Sequence, residues 1–497
     1  MTALYSVAEL RGMEQAAAAG LPPGTLMQRA GLAAAAAALD MAGNGAVLVL
    51  AGPGNNGGDA LETAANLSQA GVEVVIMHLA GEGPVAAETA HALARAQASD
   101  ARFLDALPAE RDWALVVDGL FGIGLARPLA GVARELALAI NAAACPVLAL
   151  DVPSGLDADS GAVIGPDGVA IEATRTMTFI GDKPGLHTFA GRDVAGEILL
   201  APLGIDTALF PEATASMNSP RLFGANLAPR RHNSHKGSFG DVAIIGGAAG
   251  MAGAPVLAAR SALFGGAGRV FVAAIDPVAA FDSVHPEIMF RAAASFAASD
   301  STLVAGPGMG DSAAAIRLLV KALDSLAPLV LDADALNLVA ASPDLQGHLA
   351  RRAAPTILTP HPLEAARLLG VTAAVIQGDR LAAARELAAR LQAVVVLKGS
   401  GSVIAAPHGT TVINPTGNPG LATAGTGDVL AGLCGALLGQ GWPAWEAALG
   451  AVWIHGAAAD LLVAQGSGPV GLTAGELPSA IRSVLNQLIR QSGQRQS

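Results

Sequence analysis

"NPGLATAGTGDVLAG", from Asn418 to Gly432, places glycines on both sides of a threonine, then an acid, and then begins a helical pattern. Successive N–H groups of Gly425, Thr426 and Gly427 at a helix start can form an anion hole that the helix dipole stabilises. Asp428 then lies beside the anion, where a general base takes a hydroxyl proton as phosphate is transferred to that oxygen. A capping role would explain the acid but not the preceding glycines. The motif therefore favours phosphoryl transfer.

Other polar residues of the second half follow short apolar runs that are typical of strands. "VVVLKGSGSVI" places Lys398 at a strand end before two glycines and two serines, a suitable cradle for nucleotide phosphates. "LTPHPLEAARLLG" places His361 and Glu364 at a second strand end, and "LDADALN" places Asp332 and Asp334 at a third. Each of these residues alone could be structural or a helix cap, but their shared position favours function, because ligands of parallel sheets gather at strand carboxyl ends.

The first half has a glycine-rich loop of its own, "AGPGNNGGDA" at residues 51–60. Gly52, Gly54 and Gly57 satisfy the G-x-G-x-x-G spacing, which lets the backbone turn tightly and direct N–H groups at an anion. An ordinary dinucleotide site would also place an acid at the end of the next strand, where this chain has His78. The loop alone is therefore a weak signal, and a purely structural turn remains an alternative.

Two acids at later strand ends strengthen the functional interpretation. Asp118 ends "LVVD" and Asp151 ends "VLALD", each before a loop that contains glycine or serine. Asn56, Asp118 and Ser154 offer hard oxygen ligands, which suit K⁺ or Mg²⁺ better than zinc. One such acid would more often be a loop cap, whereas two behind a glycine loop favour a binding site.

The order of apolar runs predicts an α/β protein of two domains. Strand-like runs alternate with alanine-rich helical stretches in both halves, which indicates mostly parallel sheets with helices on both faces. The alternation breaks near residues 205–230, where Pro, Asn and Ser collect. We therefore predict domains over 1–217 and 218–497.

Composition limits the class of protein. The 497 residues are 52% hydrophobic but only 3% aromatic, so helices should pack closely through small side chains. Two cysteines exclude a disulfide framework, and a net charge of -12 disfavours a nucleic-acid partner. No apolar run is long enough for a bilayer, and charges near the amino end do not fit a signal peptide. We expect a cytoplasmic protein without a membrane partner.

Four motifs of the first half, "GPGNNGGD", "DGLFGIG", "DVPSGLDADSG" and "TFIGDKPGL", resemble the NAD(P)H-hydrate epimerase family. The resemblance implies a Rossmann-like three-layer domain in which Asp151 is catalytic and contacts the substrate. It implies that K⁺ is bound by Asn56, Asp118 and Ser154. It implies that the hydrated dinucleotide is held by Asp151 together with Asn55, Asn56, Gly57, Gly58, Asp59, Gly122, Ile123, Gly124, Leu125, Ala126, Arg127 and Pro128.

The second half resembles the ribokinase-like, three-layer ADP-dependent NAD(P)H-hydrate dehydratase family. The matching motifs, in order, are "HKGSFGDVAIIGG", "GMAGAP", "GPGMG", "LDADALN", "LTPHP" and "NPGLATAGTGDVLAG". The resemblance implies ADP as co-substrate with Mg²⁺, and Asp428 as the catalytic base. It implies that the pocket for the hydrate is lined by Ala254, Gly308, His361 and Asp428. It implies that the nucleotide is held by Lys398, Gly399, Ser400, Gly401, Ser402 and Gly427.

Together these motifs predict a bifunctional repair enzyme for the hydrates of NADH and NADPH. One domain would interconvert the two epimers, and the other would dehydrate one of them at the expense of ADP. We also expect several copies of the chain to assemble. Two alternatives remain open: a small-alcohol kinase with an accessory nucleotide-binding domain, and a first half that binds nucleotides without catalysis.

Overall fold

The computed structural model describes residues 2–81, 83, 86–107, 112–276, 281–295 and 301–494. The chain forms two compact units that divide between Ala215 and Ser216. Each unit is an α/β structure, as the alternating apolar runs predict.

The first unit contains strands β1 to β8 and helices α1 to α6. Its strands are β1 (Ala3–Leu4), β2 (Val47–Ala51), β3 (Val74–His78), β4 (Arg102–Phe103), β5 (Leu115–Gly119), β6 (Val147–Leu150), β7 (Arg175–Phe179) and β8 (Glu197–Ala201). Its helices are α1 (Val7–Ala18), α2 (Thr25–Ala42), α3 (Asn55–Gln69), α4 (Ala87–Gln97), α5 (Gly131–Asn141) and α6 (Gly191–Val194).

The sheet of this unit is parallel throughout, in the order β4-β3-β2-β5-β6-β7-β8. Because successive strand residues point to opposite faces, Val47 and Val49 join the core beneath α1 to α4. Leu48 and Leu50 join a second core, which includes Leu136 of α5. The order reverses between β2 and β5, so their carboxyl ends form the crevice in which α/β proteins bind ligands.

The second unit contains strands β9 to β18 and helices α7 to α17. Its strands are β9 (Ala215–Met217), β10 (Asp241–Gly246), β11 (Arg269–Ala274), β12 (Met289–Ala292), β13 (Thr302–Ala305), β14 (Leu329–Leu331), β15 (Thr356–Leu358), β16 (Val394–Leu397), β17 (Val403–Ala405) and β18 (Thr411–Ile413). Its helices are α7 (Pro220–Phe223), α8 (Gly253–Phe264), α9 (Ala313–Asp324), α10 (Ala333–Ala340), α11 (Pro343–Ala350), α12 (Pro362–Leu369), α13 (Ala373–Gly378), α14 (Arg380–Leu391), α15 (Thr426–Gly439), α16 (Ala444–Ala464) and α17 (Leu477–Gln494).

These strands run in the order β9-β18-β17-β16-β15-β14-β13-β10-β11-β12. The pairs from β12 to β16 are parallel, whereas β17 pairs antiparallel with both neighbours. Helices α8, α15, α16 and α17 share one core with the alternate valines and isoleucines of the strands. Helix α16 is long and apolar enough to cross a membrane by composition, but 67% of that window is buried inside the protein. Here α16 is a core helix.

The parallel strands bring the chemically important loops of the second unit to one edge. Asp332 directly follows β14, Thr359 follows β15, and Lys398 follows β16. The order reverses between β10 and β13, and the glycine-rich loops after both strands lie at that crevice. Helix α15 begins at Thr426, the residue before Gly427 and Asp428.

Candidate active sites

A cavity of about 600 Å³ opens at the crevice of the first unit. Most of the residues expected to hold a dinucleotide line it: Asn55, Asn56, Asp59, Gly122, Ile123, Gly124, Leu125, Ala126, Arg127 and Asp151. Gly57, Gly58 and Pro128, which were expected there too, are not among the lining residues. The prediction for these three stays a prediction.

Gly52 and Gly57 allow the chain to approach itself closely in the glycine-rich loop. A Cβ atom on Gly57 would lie 1.8 Å from the carbonyl oxygen of Gly52, and one on Gly52 would lie 1.7 Å from that of Leu120. Any larger side chain would overlap with backbone, so the loop can adopt this turn only with glycine. The turn brings the start of α3 next to the loop after β5.

Asp151 is held in the cavity by an ion pair that the sequence alone did not indicate. Its Oδ1 lies 2.8 Å from the Nζ of Lys183, and its Oδ2 accepts a hydrogen bond from the Ile123 N–H at 3.2 Å. The Lys183 side chain is 1% exposed and also donates to Thr178 Oγ1 at 2.7 Å. Asp151 itself has φ of 67°, a strained conformation of the kind that clusters at functional sites. The only sequence signal for Lys183 was its place in "TFIGDKPGL".

Further acids of the first unit converge on the same cavity from other elements. Glu14 of α1 and Glu88 at the start of α4 join Asp59 and Asp151 among the lining residues. Burial, followed by the charges of Asp151 and Glu88, raises the pKa of Glu14. The pKa of Asp59 is raised well above its usual range, first by burial and then by Asp151 and Glu14. These acids make the side of the cavity that they line favourable for a positively charged group.

Asn56, Asp118 and Ser154, the expected cation ligands, are all buried. Asp118 Oδ1 accepts from Ser154 Oγ at 2.7 Å, and its Oδ2 accepts from the Ser154 N–H at 2.8 Å. Burial raises the pKa of Asp118 to about 6 despite these bonds. Neither polar atom of the buried Asn56 amide has a hydrogen-bond partner within the part of the chain that the structure describes. Oxygen donors of this kind fit a hard cation.

Asp428 lies within a charged cluster at the carboxyl edge of the second sheet. Lys398 Nζ is 2.6 Å from Asp332 Oδ1 and 3.9 Å from Glu364 Oε2. Thr359 Oγ1 donates to the same Asp332 oxygen at 2.8 Å, which fixes that carboxylate. Burial, then the charge of Asp332, raises the pKa of Asp428 to about 7, although Lys398 opposes this rise. Asp428 can therefore change protonation near neutral pH.

His361 caps helix α12 and faces the same cluster. Its Nδ1 accepts from the Leu363 N–H at 3.1 Å, and its Nε2 lies 3.3 Å from Glu364 Oε1. Burial, followed by the charge of Lys398, lowers the pKa of His361. The imidazole therefore stays neutral, and Glu364 is fixed between it and Lys398.

The turn from Lys398 to Ser402 rests on a buried arginine that the sequence analysis missed. Arg380 of α14 is fully buried and donates to the carbonyl oxygens of Leu397 and Lys398, both at 3.2 Å. A Cβ on Gly399 would lie 2.7 Å from this guanidinium. On the other side of the turn, a Cβ on Gly427 would lie 3.4 Å from Lys398 Nζ. The expected nucleotide residues therefore meet around Lys398.

Gly308 and Ala254 lie together at the crevice between β10 and β13. A Cβ on Gly308 would be 3.3 Å from the Cβ of Ala254, so the small size of both residues leaves space for a ligand on this side of the crevice. This side continues into α15, because a Cβ on Gly425 would be 2.5 Å from Leu257 of α8 and 3.9 Å from Asp428 Oδ2. The four residues expected to line the hydrate pocket thus lie in loops or first helical turns at one edge of the sheet: Gly308 is in a loop, His361 caps α12, and Ala254 and Asp428 lie in the first turns of α8 and α15.

Neither cysteine takes part in these clusters. Cys434 is buried within α15, where burial raises its thiol pKa to about 12. Burial also raises the thiol pKa of Cys145. Both thiols therefore stay protonated at neutral pH.

The chain is similar to two protein families, one for each unit. A family described as "YjeF-related protein N-terminus" matches residues 23–185, and one described as "NAD(P)H-hydrate dehydratase" matches residues 242–482. The bifunctional NAD(P)H-hydrate repair enzyme Nnr of Coxiella burnetii is 38% identical over 98% of this chain and 100% of its own length.

Two further relatives match the second unit. The ADP-dependent (S)-NAD(P)H-hydrate dehydratase of Neisseria meningitidis is 44% identical over 55% of this chain and 93% of its own length. The crystal structure of a Bacillus subtilis ADP/ATP-dependent NAD(P)H-hydrate dehydratase, co-crystallised with ATP and Mg²⁺, is 32% identical. It covers 54% of this chain and 97% of its own, with a TM-score of 0.49.

Proposed function

This chain belongs to the family of bifunctional NAD(P)H-hydrate repair enzymes, and on that premise we propose which residues carry its two activities. The enzyme epimerises the R and S hydrates of NADH and NADPH. It dehydrates the S form at the expense of ADP, giving NAD(P)H, AMP and phosphate. We assign epimerisation to residues 1–217 and dehydration to residues 218–497.

Dehydration begins with the hydroxyl on carbon 6 of the nicotinamide ring, since hydroxide is a poor leaving group. Asp428 takes the proton from this hydroxyl as its oxygen attacks the terminal phosphorus of ADP, and AMP leaves. The new phosphate ester then loses phosphate from carbon 6 and a proton from carbon 5, which restores the dihydropyridine. Lys398 and the N–H groups at the start of α15 stabilise the charge on the transferred phosphoryl group.

The observation that carries this assignment is the cluster around Lys398. Its Nζ lies 2.6 Å from Asp332 and beside Gly427, so the cation, the helix start and the base Asp428 share one edge. Ala254, Gly308 and His361 would form the hydrate side of the site. Gly399, Ser400, Gly401 and Ser402 would form the nucleotide side, supported from beneath by Arg380.

In the first unit, the 600 Å³ cavity would hold the hydrated nicotinamide half of the substrate. Asp151 is the expected catalytic residue, and Lys183 keeps it oriented through the ion pair. Carbon 6 is bonded to the ring nitrogen, whose lone pair can stabilise a cation at that carbon. Inversion can therefore proceed by loss and return of the oxygen.

K⁺ would be held by Asn56, Asp118 and Ser154. The unpartnered Asn56 amide and the buried Asp118 carboxylate support this proposal. When bound, the ion would fix the loops after β2, β5 and β6.

Across the described ranges, no group of three or more His, Cys, Asp or Glu side chains is arranged to hold a metal. Mg²⁺ would therefore enter the second site with the phosphates of ADP, whose charge it offsets.

Two broader expectations belong to the same proposal. A cytoplasmic location stays a prediction from the sequence. Assembly into a homo-oligomer stays a prediction from the sequence.

The test uses the full chain with a mixture of both NADPH hydrate epimers, Mg²⁺, K⁺ and ADP, with NADPH recovery followed by absorbance. We expect full recovery, which requires both activities. Asp428→Asn should lower the rate of recovery by about 100-fold or more, the usual effect of losing a general base. Asp344→Asn replaces an exposed acid of the same unit and should leave the rate unchanged.

Recovery of NADPH from only one of the two hydrate epimers would show that the epimers are not interconverted, and it would contradict the epimerase activity. Accumulation of a stable phosphorylated hydrate would instead identify a small-alcohol kinase. Normal recovery by Asp428→Asn would contradict its role as the base.

A further inference from the structure

We propose that Asp59 is the general acid of the epimerase site, acting opposite the carboxylate of Asp151. This inference rests on the proposed function, because it assumes that the cavity of the first unit takes the hydrated nicotinamide. It adds a proton donor to a site for which the sequence indicated only a substrate contact at Asp59.

The first step of the argument is position. Helix α3 begins at Asn55, and residues three and four apart share a helix face. Asn55, Asn56 and Asp59 all line the cavity, whereas Gly57 and Gly58 do not. Asp59 therefore faces the same space as Asp151, from a different element of the fold.

The second step is the contrast between the two acids. Asp151 has the ammonium of Lys183 at 2.8 Å and the Ile123 N–H at 3.2 Å, which stabilise its charged form. No cationic side chain of the described residues lies within ion-pair distance of Asp59. Two acids whose surroundings favour opposite protonation states are the usual arrangement of a general acid with a general base.

The remaining charges around Asp59 act in the same direction. Besides Asp151, the acids that face it are Glu14 of α1, Glu62 of α3 and Glu88 of α4, and with burial they raise its pKa. The guanidinium of Arg95 on α4 is paired with Glu62. Arg11 and Arg127 also line the cavity, but neither forms an ion pair with Asp59.

The third step is the chemistry of inversion. Asp59 gives its proton to the oxygen on carbon 6 as that C–O bond breaks, and water leaves. The ring nitrogen supplies its lone pair, forming a planar cation with a carbon–nitrogen double bond. Water then adds to the opposite face, and Asp151 takes the proton released. Transfer of that proton back to Asp59 restores the site, so all atoms and charges balance.

The acidic side chains that line the cavity would stabilise the cationic intermediate. Hydrated nicotinamide is neutral, whereas the intermediate carries a positive charge beside Glu14, Glu88 and Asp151. Negative groups fixed before the reaction stabilise charge that appears only during it, which lowers the barrier. The same groups would give little extra affinity for the neutral substrate.

The test measures epimer exchange in the full chain, starting from one isolated NADPH hydrate epimer without ADP, by chromatography. Asp59→Asn keeps the shape of the side chain but cannot supply the proton. We expect kcat to fall by about 100-fold or more, with KM changed by no more than about threefold. Asp59→Glu keeps an ionisable acid and should recover at least about tenfold of the loss. Asp100→Asn, an exposed acid of the same unit, should exchange normally.

A second readout uses water labelled with heavy oxygen. The wild-type enzyme should place the label on carbon 6 as the epimers exchange, and Asp59→Asn should slow labelling and exchange equally. Exchange by Asp59→Asn within about threefold of wild type would overturn the inference, as would a change in KM alone. Those results would leave the proposed function intact. Absence of exchange in the wild-type enzyme would contradict the proposed function itself.

Discussion

At the scale of single residues, the two units use buried acids in different ways. Asp428 has Lys398 and several acids around it, and their opposing effects leave its pKa at about 7. Asp118 is buried with only hydroxyl and amide donors, and its pKa is about 6. In both cases burial is the largest cause of the raised pKa, because a charged carboxylate loses its hydration there.

The raised pKa of Asp428 predicts how dehydration depends on pH. A base must be deprotonated, and the fraction of Asp428 carboxylate falls as the pH drops through about 7. The initial rate of ADP-dependent NADPH recovery from the S hydrate should therefore fall roughly tenfold per pH unit below that midpoint. Above the midpoint the rate should level off.

The control for this profile is Lys398→Gln. Lys398 lowers the pKa of Asp428, so its removal should move the midpoint to higher pH and also weaken phosphate binding. A rate that stays constant from about pH 8 down to about pH 5.5 would show that Asp428 is not the base.

At the scale of elements, small residues set the distance between helices α8 and α15. A Cβ on Gly432 would lie 2.0 Å from the carbonyl oxygen of Ala258, so the two backbones touch directly. Cores are packed too densely to accept such an atom without backbone movement. The low aromatic content predicted close helix packing of this kind, and the position of Asp428 one turn earlier depends on it.

Gly432→Ala should therefore destabilise the second unit, although alanine is the better helix former. The expected loss is about 1–3 kcal/mol in the free energy of unfolding, from overpacking against Ala258. Gly378→Ala is the matched control, since a Cβ on this helical glycine of the same unit meets nothing within 4 Å. It should be neutral or stabilise by up to about 1 kcal/mol.

Thermal unfolding of the full chain by calorimetry would measure both variants. Two compact units should give two transitions, and Gly432→Ala should lower the midpoint of only one. Equal unfolding midpoints for Gly432→Ala and Gly378→Ala would contradict this prediction. They would mean that α8 and α15 can move apart to accept the extra methyl group without loss of stability.

At the scale of the whole molecule, the sequence was sufficient to predict an α/β fold for each half. Alternating apolar runs indicated parallel strands, and acids or glycines after those runs marked the ligand edge of each sheet. Lys183, Glu14 and Arg380 could not be predicted in this way. Lys183 follows β7, Glu14 lies on α1, and Arg380 opens α14, so each reaches its site only through tertiary packing. The spacing of residues along the chain does not indicate contacts that form only when distant elements pack together.

Two separate sites should also work when they are on separate molecules. The epimerised hydrate is a complete dinucleotide that can leave one site and enter another by diffusion. Equal amounts of Asp428→Asn and Asp151→Asn protein should therefore recover NADPH from both epimers with ADP, at a rate that rises with protein concentration.

Each variant alone provides the control, because Asp428→Asn should recover almost none and Asp151→Asn only the S form at first. A mixture that recovers no more than Asp151→Asn alone would show that the hydrate must pass between sites of one molecule.

The raised pKa values of the two thiols have a practical consequence for the cell. Oxidants and alkylating agents attack the thiolate form of cysteine, and both cysteines of this chain hold their protons at neutral pH. No cysteine is among the residues that line the cavity of the first unit or among those proposed for the second site. Thiol-alkylating agents should thus inhibit cofactor repair by this enzyme less than they inhibit enzymes that depend on a reactive cysteine.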